Sequence, residues 1–209
     1  MYNAGNMMAK QTVQKTYLFT SILLLMVLNS TVKADYSAVN SEHWDSRYDE
    51  MFRKYSGRYF GPHFDWRWFK AQAIAESGLQ KGAMSPSGAR GLMQILPSTY
   101  QEIKQTKPYI GNINDPSWNI AAGIFYLRNL FRRWQGRPDK ERLYLALASY
   151  NAGYYRILKA FRRVKGTDKK WTDIKMHIPG ETREYVERIR RLMNDKRTLR
   201  MARMDTIQP

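Results

Sequence analysis

The stretch DPSWNIAAGIFYLRNLFRRW, residues 115–134, constrains the fold more than any other part of the chain. Asp115 is suited to cap a helix, and Pro116 to occupy its first turn, where a missing N–H costs nothing. Ile120, Ile124, Leu127 and Phe131 then recur at helical spacing, giving one apolar stripe that must be buried against neighbours. The same rhythm returns along the chain. Residues from about 41 to 55 mix aromatics and charges at helical spacing, and DWRWFKAQAIAES brings Phe69, Ala73, Ile74 and Ser77 to one face. Pro97 and Ser98 open a short helix running through Ile103. Further helices are expected over about 140–151, stopped by Gly153, then through YYRILKAFRRV, and last through PGETREYVERIRRLM after Pro179. No stretch alternates apolar and polar residues between turn dipeptides as a strand would. The expectation is an all-α chain with a single compact globular domain.

Charge bounds the partners more than the fold. Lys and Arg outnumber Asp and Glu 35 to 18, a formal net charge of +17 over 209 residues. Nucleic acid, an anionic membrane and anionic wall polymers would all satisfy that balance. The N-terminus narrows the choice. Lys10 and Lys15 precede the apolar run 17–28, and small residues follow at Val32 and Ala34, the pattern of a secretory signal cleaved after Ala34. An uncleaved anchor is the alternative, although the run is shorter than the roughly 20 residues a spanning helix needs. Removing residues 1–34 takes away three basic residues and no acid, so a charge of +14 stays with the folded part. Export argues against nucleic acid. The chain has no cysteine, so neither disulfides nor a thiol nucleophile is available. His43, His63 and His177 lack ligand-like spacing, so neither a metal nor a cofactor is expected.

One acid stands out. Glu76, in AIAESGLQ, sits among small and apolar residues, with Ala73 three positions before and Leu79 three after, and the next acid is Glu102. Burial against such surfaces disfavours a carboxylate and would keep it protonated near neutral pH. The loop KGAMSPSGARG follows directly, its Gly82, Gly88 and Gly91 permitting positive φ and close backbone approach. Loops flanking an acid are common places for substrate contacts.

Four motifs then occur in order: Glu76-Ser77, SPSGARGLMQILP from Ser85 to Pro97, SYNAG from Ser149 to Gly153, and ETREYVERI from Glu181 to Ile189. With them the chain resembles the lytic transglycosylases of the soluble, goose-lysozyme-like type, over roughly residues 65–192. The resemblance implies a lysozyme-like domain over 65–194, after a signal or anchor at 1–34 and a helical extension at 35–64, with a basic flexible tail at 195–209. Two positions depart from the family's usual pattern: Ser149, where alanine is common, and Leu96, where methionine is.

The resemblance implies cleavage of peptidoglycan strands to 1,6-anhydro ends, with Glu76 acting first as acid and then as base. An intramolecular nucleophile removes the need for the second carboxylate of ordinary glycosidases. It further implies that Ser77 supports the catalytic segment and that Ser85 and Gln94 meet sugar amides or hydroxyls. Tyr150 and Asn151 would line the cleft over a turn at Gly153, and Tyr185 would tune Glu76. Met93 is counted with the cleft, although a methionine in such a setting is more often core packing. A hydrolase on the same scaffold, and a wall-binding assembly factor for an envelope-spanning apparatus, are the alternative functions. The run Arg183–Arg203 holds eight basic residues, suited to anionic envelope polymers or a membrane surface. The expected location is the periplasm or cell envelope.

Overall fold

Residues 46–194 are described in a computed structural model of the chain. The expectations for the export segment 1–34, for the first part of the extension at 35–45 and for the tail 195–209 lie outside them. Eight α-helices follow one another among the described residues: α1 (Asp49–Phe60), α2 (Arg67–Ser77), α3 (Pro97–Thr106), α4 (Pro116–Arg133), α5 (Asp139–Ala152), α6 (Tyr154–Arg163), α7 (Trp171–Ile174) and α8 (Gly180–Asn194). Single 3₁₀ turns precede α1 and α8, at Ser46–Tyr48 and Lys175–His177. There is no β-strand among the described residues, only isolated bridges from Arg90 to Met84 and Ile95. No described helix is long and apolar enough to cross a membrane.

The helix read from residues 115–134 forms as its sequence dictates. The Asp115 carboxylate accepts the Trp118 N–H at 3.1 Å, and Ile120, Ile124, Leu127 and Phe131 are all buried. α4 packs on α1 and on α5. α5 is enclosed more completely: Leu143 to Ser149 are all buried, because α4, α6 and α8 cover it from several sides. A helix that is covered all round must be apolar all round. α8 crosses both α2 and α5, and so joins the segment that carries Glu76 to the one that carries Tyr150.

Some boundaries differ from the periodicity reading, each for a physical reason. α1 runs on to Phe60 because its last turn enters an aromatic cluster, with Phe60 4.9 Å from Phe69 and 5.4 Å from Phe131 between ring centroids. α2 stops at Ser77, where Gly78 turns left-handed (φ 61°) and its N–H returns to the Ile74 carbonyl. Leu79 is therefore not on the helix of Glu76. In the loop, Gly88 and Gly91 do take positive φ, but Gly82 does not. The turn α7 is too short for periodicity to reveal. It is fixed from outside, since the Trp171 N–H donates to the Glu141 carboxylate and its indole N–H donates to Glu187 at 3.0 Å.

The extension also contributes to the core. Lys70, only 1% exposed on α2, pairs through its ammonium with Asp49 at the start of α1. Breaking such a buried pair costs about 3–5 kcal/mol, because the surviving charge loses its partner.

Ser149, the residue where alanine is usual, sits fully buried in α5. Its hydroxyl donates to the Leu145 carbonyl at 2.7 Å and accepts the Trp134 indole N–H at 3.1 Å. The hydroxyl is thus the partner of an indole that is only 2% exposed. Ser149→Ala is expected to destabilise the fold by about 1–3 kcal/mol by leaving that N–H unsatisfied. Adding Trp134→Phe should cost less in the Ser149→Ala background than in the native one. Urea denaturation of the four proteins measures both effects.

Candidate active site

Glu76 is the penultimate residue of α2, so its carboxylate lies at the negative end of the helix dipole, half-buried. The Tyr185 hydroxyl, brought by α8 from 109 positions away, donates to Glu76 Oε1 at 2.6 Å. Burial pushes the Glu76 carboxyl up from 4.5 to about 8, against the opposing pulls of the Tyr185 hydrogen bond and the Arg188 charge. At neutral pH the acid form therefore predominates. Tyr185 and Tyr150 are both held well above the usual phenol range, first by burial and next by the nearby Glu76 charge. Among the described residues no other carboxylate contributes to the shift of either tyrosine.

The loop after Glu76 is held by a few specific bonds. Ser77 sends its hydroxyl proton to the Leu92 carbonyl at 2.9 Å, with the Ala73 carbonyl 3.2 Å away. Asn119 of α4 is 1% exposed and binds three separate groups: it accepts the Met93 N–H at 2.8 Å and donates to the Arg90 and Ile113 carbonyls, each at 2.9 Å. Gly91 passes so close that a β-carbon there would meet the Asn119 amide at 2.4 Å. Gly123 plays the same part beneath Met93. The seated loop then presents the Met93 carbonyl, which accepts the Tyr150 hydroxyl at 2.8 Å.

A cavity of about 310 Å³ opens beside this frame, lined by Gln94, Leu96, Tyr126, Tyr150, Asn151 and Gly153 among others. Glu76 is not one of its walls. Tyr150 links the two, since it borders the cavity and feels the Glu76 charge. Gln94 takes a left-handed backbone (φ 44°) and donates its amide to the Ala83 and Gly91 carbonyls. Asn151 accepts the Thr182 hydroxyl at 2.8 Å, tying α5 to α8, and Gly153 turns the chain with φ 86°. Ser85 lies away from the cavity walls, bonded to the Ser87 hydroxyl and the Ala89 N–H. The Met93 side chain is wholly buried against α4, so it packs the core, and only its backbone carbonyl serves the site.

The sequence reading passed over several residues that the site uses. Asn119 could have been noticed as a polar residue inside the apolar stripe of α4, because buried amides are nearly always satisfied. Tyr126 had no distinguishing signal. Gln72, one turn before Glu76, is fully buried, and its side-chain amide lies close enough to the Tyr185 hydroxyl to oppose the rise of that phenol.

An all-α unit that holds one proton-bearing glutamate against a tyrosine-lined cleft has the form of the lysozyme-like folds. Residues 51–172 match the family described as Transglycosylase SLT domain, and the chain belongs to that family. It is 31% identical over 167 residues to the membrane-bound lytic murein transglycosylase F of Aliivibrio fischeri, which covers 69% of this chain and 32% of the relative. The protein of the same name from Vibrio cholerae El Tor Inaba is 34% identical over 167 residues, covering 69% and 30%. Among solved structures it is similar to the 70 kDa soluble lytic transglycosylase SLT70 of Escherichia coli, at 27% identity and a TM-score of 0.60, covering 74% of this chain and 26% of that one. The chain thus spans about a third of the length of the curated relatives it matches.

The raised Glu76 makes stability depend on pH. The folded state keeps a proton that an unfolded glutamate releases near 4.5, so this contribution is full below 4.5 and is lost as pH rises through about 8. Glu76→Gln is expected to match the native protein near pH 4 and to exceed it by about 1–3 kcal/mol at pH 8–9. Chemical denaturation at the two pH values measures this. Tyr185→Phe removes a bond to the carboxylate, so the Glu76 titration should move further upward, as followed by carbon NMR of its carboxyl group.

Proposed function

We propose that the chain is an exported peptidoglycan lytic transglycosylase that cleaves the MurNAc-GlcNAc β-1,4 bond and leaves 1,6-anhydro-MurNAc ends. The observation that carries the reading is the solitary Glu76, protonated at neutral pH, with Tyr185 bonded to it. A neutral carboxylic acid can donate its proton to the glycosidic oxygen as the sugar gains oxocarbenium character. The carboxylate left behind is stabilised by the Tyr185 hydroxyl and the Arg188 charge. It then takes the proton of the muramic C6 hydroxyl, whose oxygen attacks the anomeric carbon of the same sugar. No water is consumed. Because the nucleophile is already attached, its effective concentration is high and a second carboxylate is not required.

The remaining residues take supporting roles in this reading. Tyr150, Asn151 and Gln94 border the cavity that would hold the sugars, while Ser77 and Gly153 fix the segments that present Glu76 and Tyr150. Ser85 lies on the neighbouring loop and would contact the strand only beyond that cavity. Leu96, 40% exposed at the cavity's edge, offers an apolar contact there. The names of the relatives support a murein substrate, and the N-terminal signal pattern supports action in the periplasm or envelope. The basic surface suits anionic envelope polymers or a membrane face, and a role beside envelope-spanning machinery is compatible with this chemistry.

Mass analysis of digested peptidoglycan tests the proposal. The native chain should release muropeptides with anhydro ends, and Glu76→Gln should lower the rate by at least about 10²-fold, the usual scale of general acid–base catalysis. Reducing ends from the native chain would indicate hydrolysis instead. Absence of products from both proteins would indicate a wall-binding role.

A further inference from the structure

Helix α6 begins where the sugar cavity ends: Tyr150, Asn151 and Gly153 line that cavity, and the helix starts at Tyr154. Its inner face is secured by Ile157, Ala160 and Phe161, all buried, and by Trp134, whose ring centroid lies 5.4 Å from those of both Tyr154 and Phe161. At 3.6 residues per turn the outer face reads Arg162, Tyr155, Lys159, Arg163 and Arg156, in that order, across an arc of about 120°. All of these side chains are exposed, Tyr155 by 78%. The arc thus holds four cations and one aromatic ring, and no acid occurs between Arg142 and Thr167.

The fold makes no use of these charges. Among the described residues none of the four cations forms an ion pair or a side-chain hydrogen bond. Asp168, the next acid along the chain, faces Lys170 instead. Lys159 stands three residues from Arg156 and Arg162 and four from Arg163, the spacings at which like charges on a helix repel. Arg156, in the first turn, also opposes the helix dipole, although Arg162 and Arg163 in the last turn suit it. Such a face weakens the helix unless an anionic partner covers it. None of the four lines the sugar cavity, or the cavity of about 360 Å³ bounded by α3, α4 and the start of α6. The partner therefore meets them on the outer curve of a helix.

We propose that the outer face of α6 docks the protein on a bilayer surface that contains anionic phospholipid. A plane of headgroups reaches all four cations of a convex helix at once, whereas a linear polyanion is held by a charged groove that follows its backbone. Tyr155 lies within the same arc, and tyrosine rings favour the headgroup level of a bilayer. The 3₁₀ turn Lys175–His177 packs on α6 and adds Met176, 68% exposed. A soluble polyanion has no use for these two side chains. Each cation near an anionic surface strengthens binding about fivefold, so the four together contribute on the order of several hundredfold, an attraction that fades within about 10 Å at 0.1 M salt. Because Gly153 joins the docking helix to the cavity wall, cleavage would be confined to strands close to the membrane. That consequence, unlike the docking itself, rests on the transglycosylase reading.

Sedimentation of the full chain with vesicles tests the docking, and none of its readouts needs turnover. Vesicles of phosphatidylcholine alone are compared with vesicles that also contain phosphatidylglycerol, since any contribution of the apolar run 17–28 is common to both. The native chain should bind the anionic vesicles at least about 100-fold more tightly at low salt, and the difference should shrink steeply as salt rises towards about 0.5 M. Arg156→Gln, Lys159→Gln, Arg162→Gln and Arg163→Gln combined should remove most of that difference, while the melting temperature stays at or above the native value. Lys196→Gln, Arg197→Gln, Arg200→Gln and Arg203→Gln combined remove the same charge from the C-terminal run and should leave most of it. Equal losses in the two variants would overturn the proposal, because net charge alone would then account for binding. Equal binding of the native chain to both kinds of vesicle would overturn it as well. So would an α6 variant that no longer sediments with purified peptidoglycan yet keeps its hold on anionic vesicles, which would assign the face to a wall polymer.

Discussion

The loop that carries residues 90–96 rests on one buried amide. Asn119 holds an N–H and two carbonyls from separate places in the chain, and everything the site needs from the loop follows from that seating. With Leu92 and Met93 fixed, their carbonyls become targets for Ser77 at the end of α2 and for Tyr150 on α5. Two helices with no direct bond between their functional side chains are thereby aligned through a third element. The same arrangement explains the glycines on either side. Gly91 and Gly123 are needed because the loop lies directly on α4, with no room for a β-carbon at either contact. Replacing such an amide by an apolar residue leaves the buried Met93 N–H without its partner, at about 1–3 kcal/mol.

Electrostatics in the molecule follow from where water is admitted. Lys70 lies in the interior beside the Asp49 carboxylate, whereas Glu76 lies at a helix end with only a phenol as its direct donor. The first is an ion pair, and the second is a carboxyl held mostly as the neutral acid. The difference in partner separates a residue that secures the fold from one equipped to exchange a proton.

Much of this was legible in the sequence where the cause was local. The stripe of α4, its Asp115 cap and the all-α character depend on spacing within one segment, and periodicity reveals them directly. The isolation of Glu76 among small residues likewise pointed to a raised carboxyl. What the sequence could not show depends on distant partners. α7 exists because Glu141 and Glu187 reach Trp171, and the end of α2 at Ser77 removes Leu79 from the neighbourhood first inferred for Glu76. Met93 and Ser85 were grouped with the cleft by motif; the structure buries the Met93 side chain and bonds the Ser85 hydroxyl to Ser87. The Ser149 substitution looked minor in sequence. Only the Trp134 indole, 15 positions away, explains why a hydroxyl is useful there.

Gln94 illustrates a conflict that the fold leaves unresolved. Its left-handed backbone would suit glycine better, by roughly 1 kcal/mol, so the position carries conformational strain. Its amide bonds to Ala83 and Gly91 offset some of that strain and also fix the side chain at the cavity wall. Selection for heat resistance alone and selection for turnover would therefore pull this residue in different directions. Laboratory evolution under each pressure in turn would leave its record at position 94.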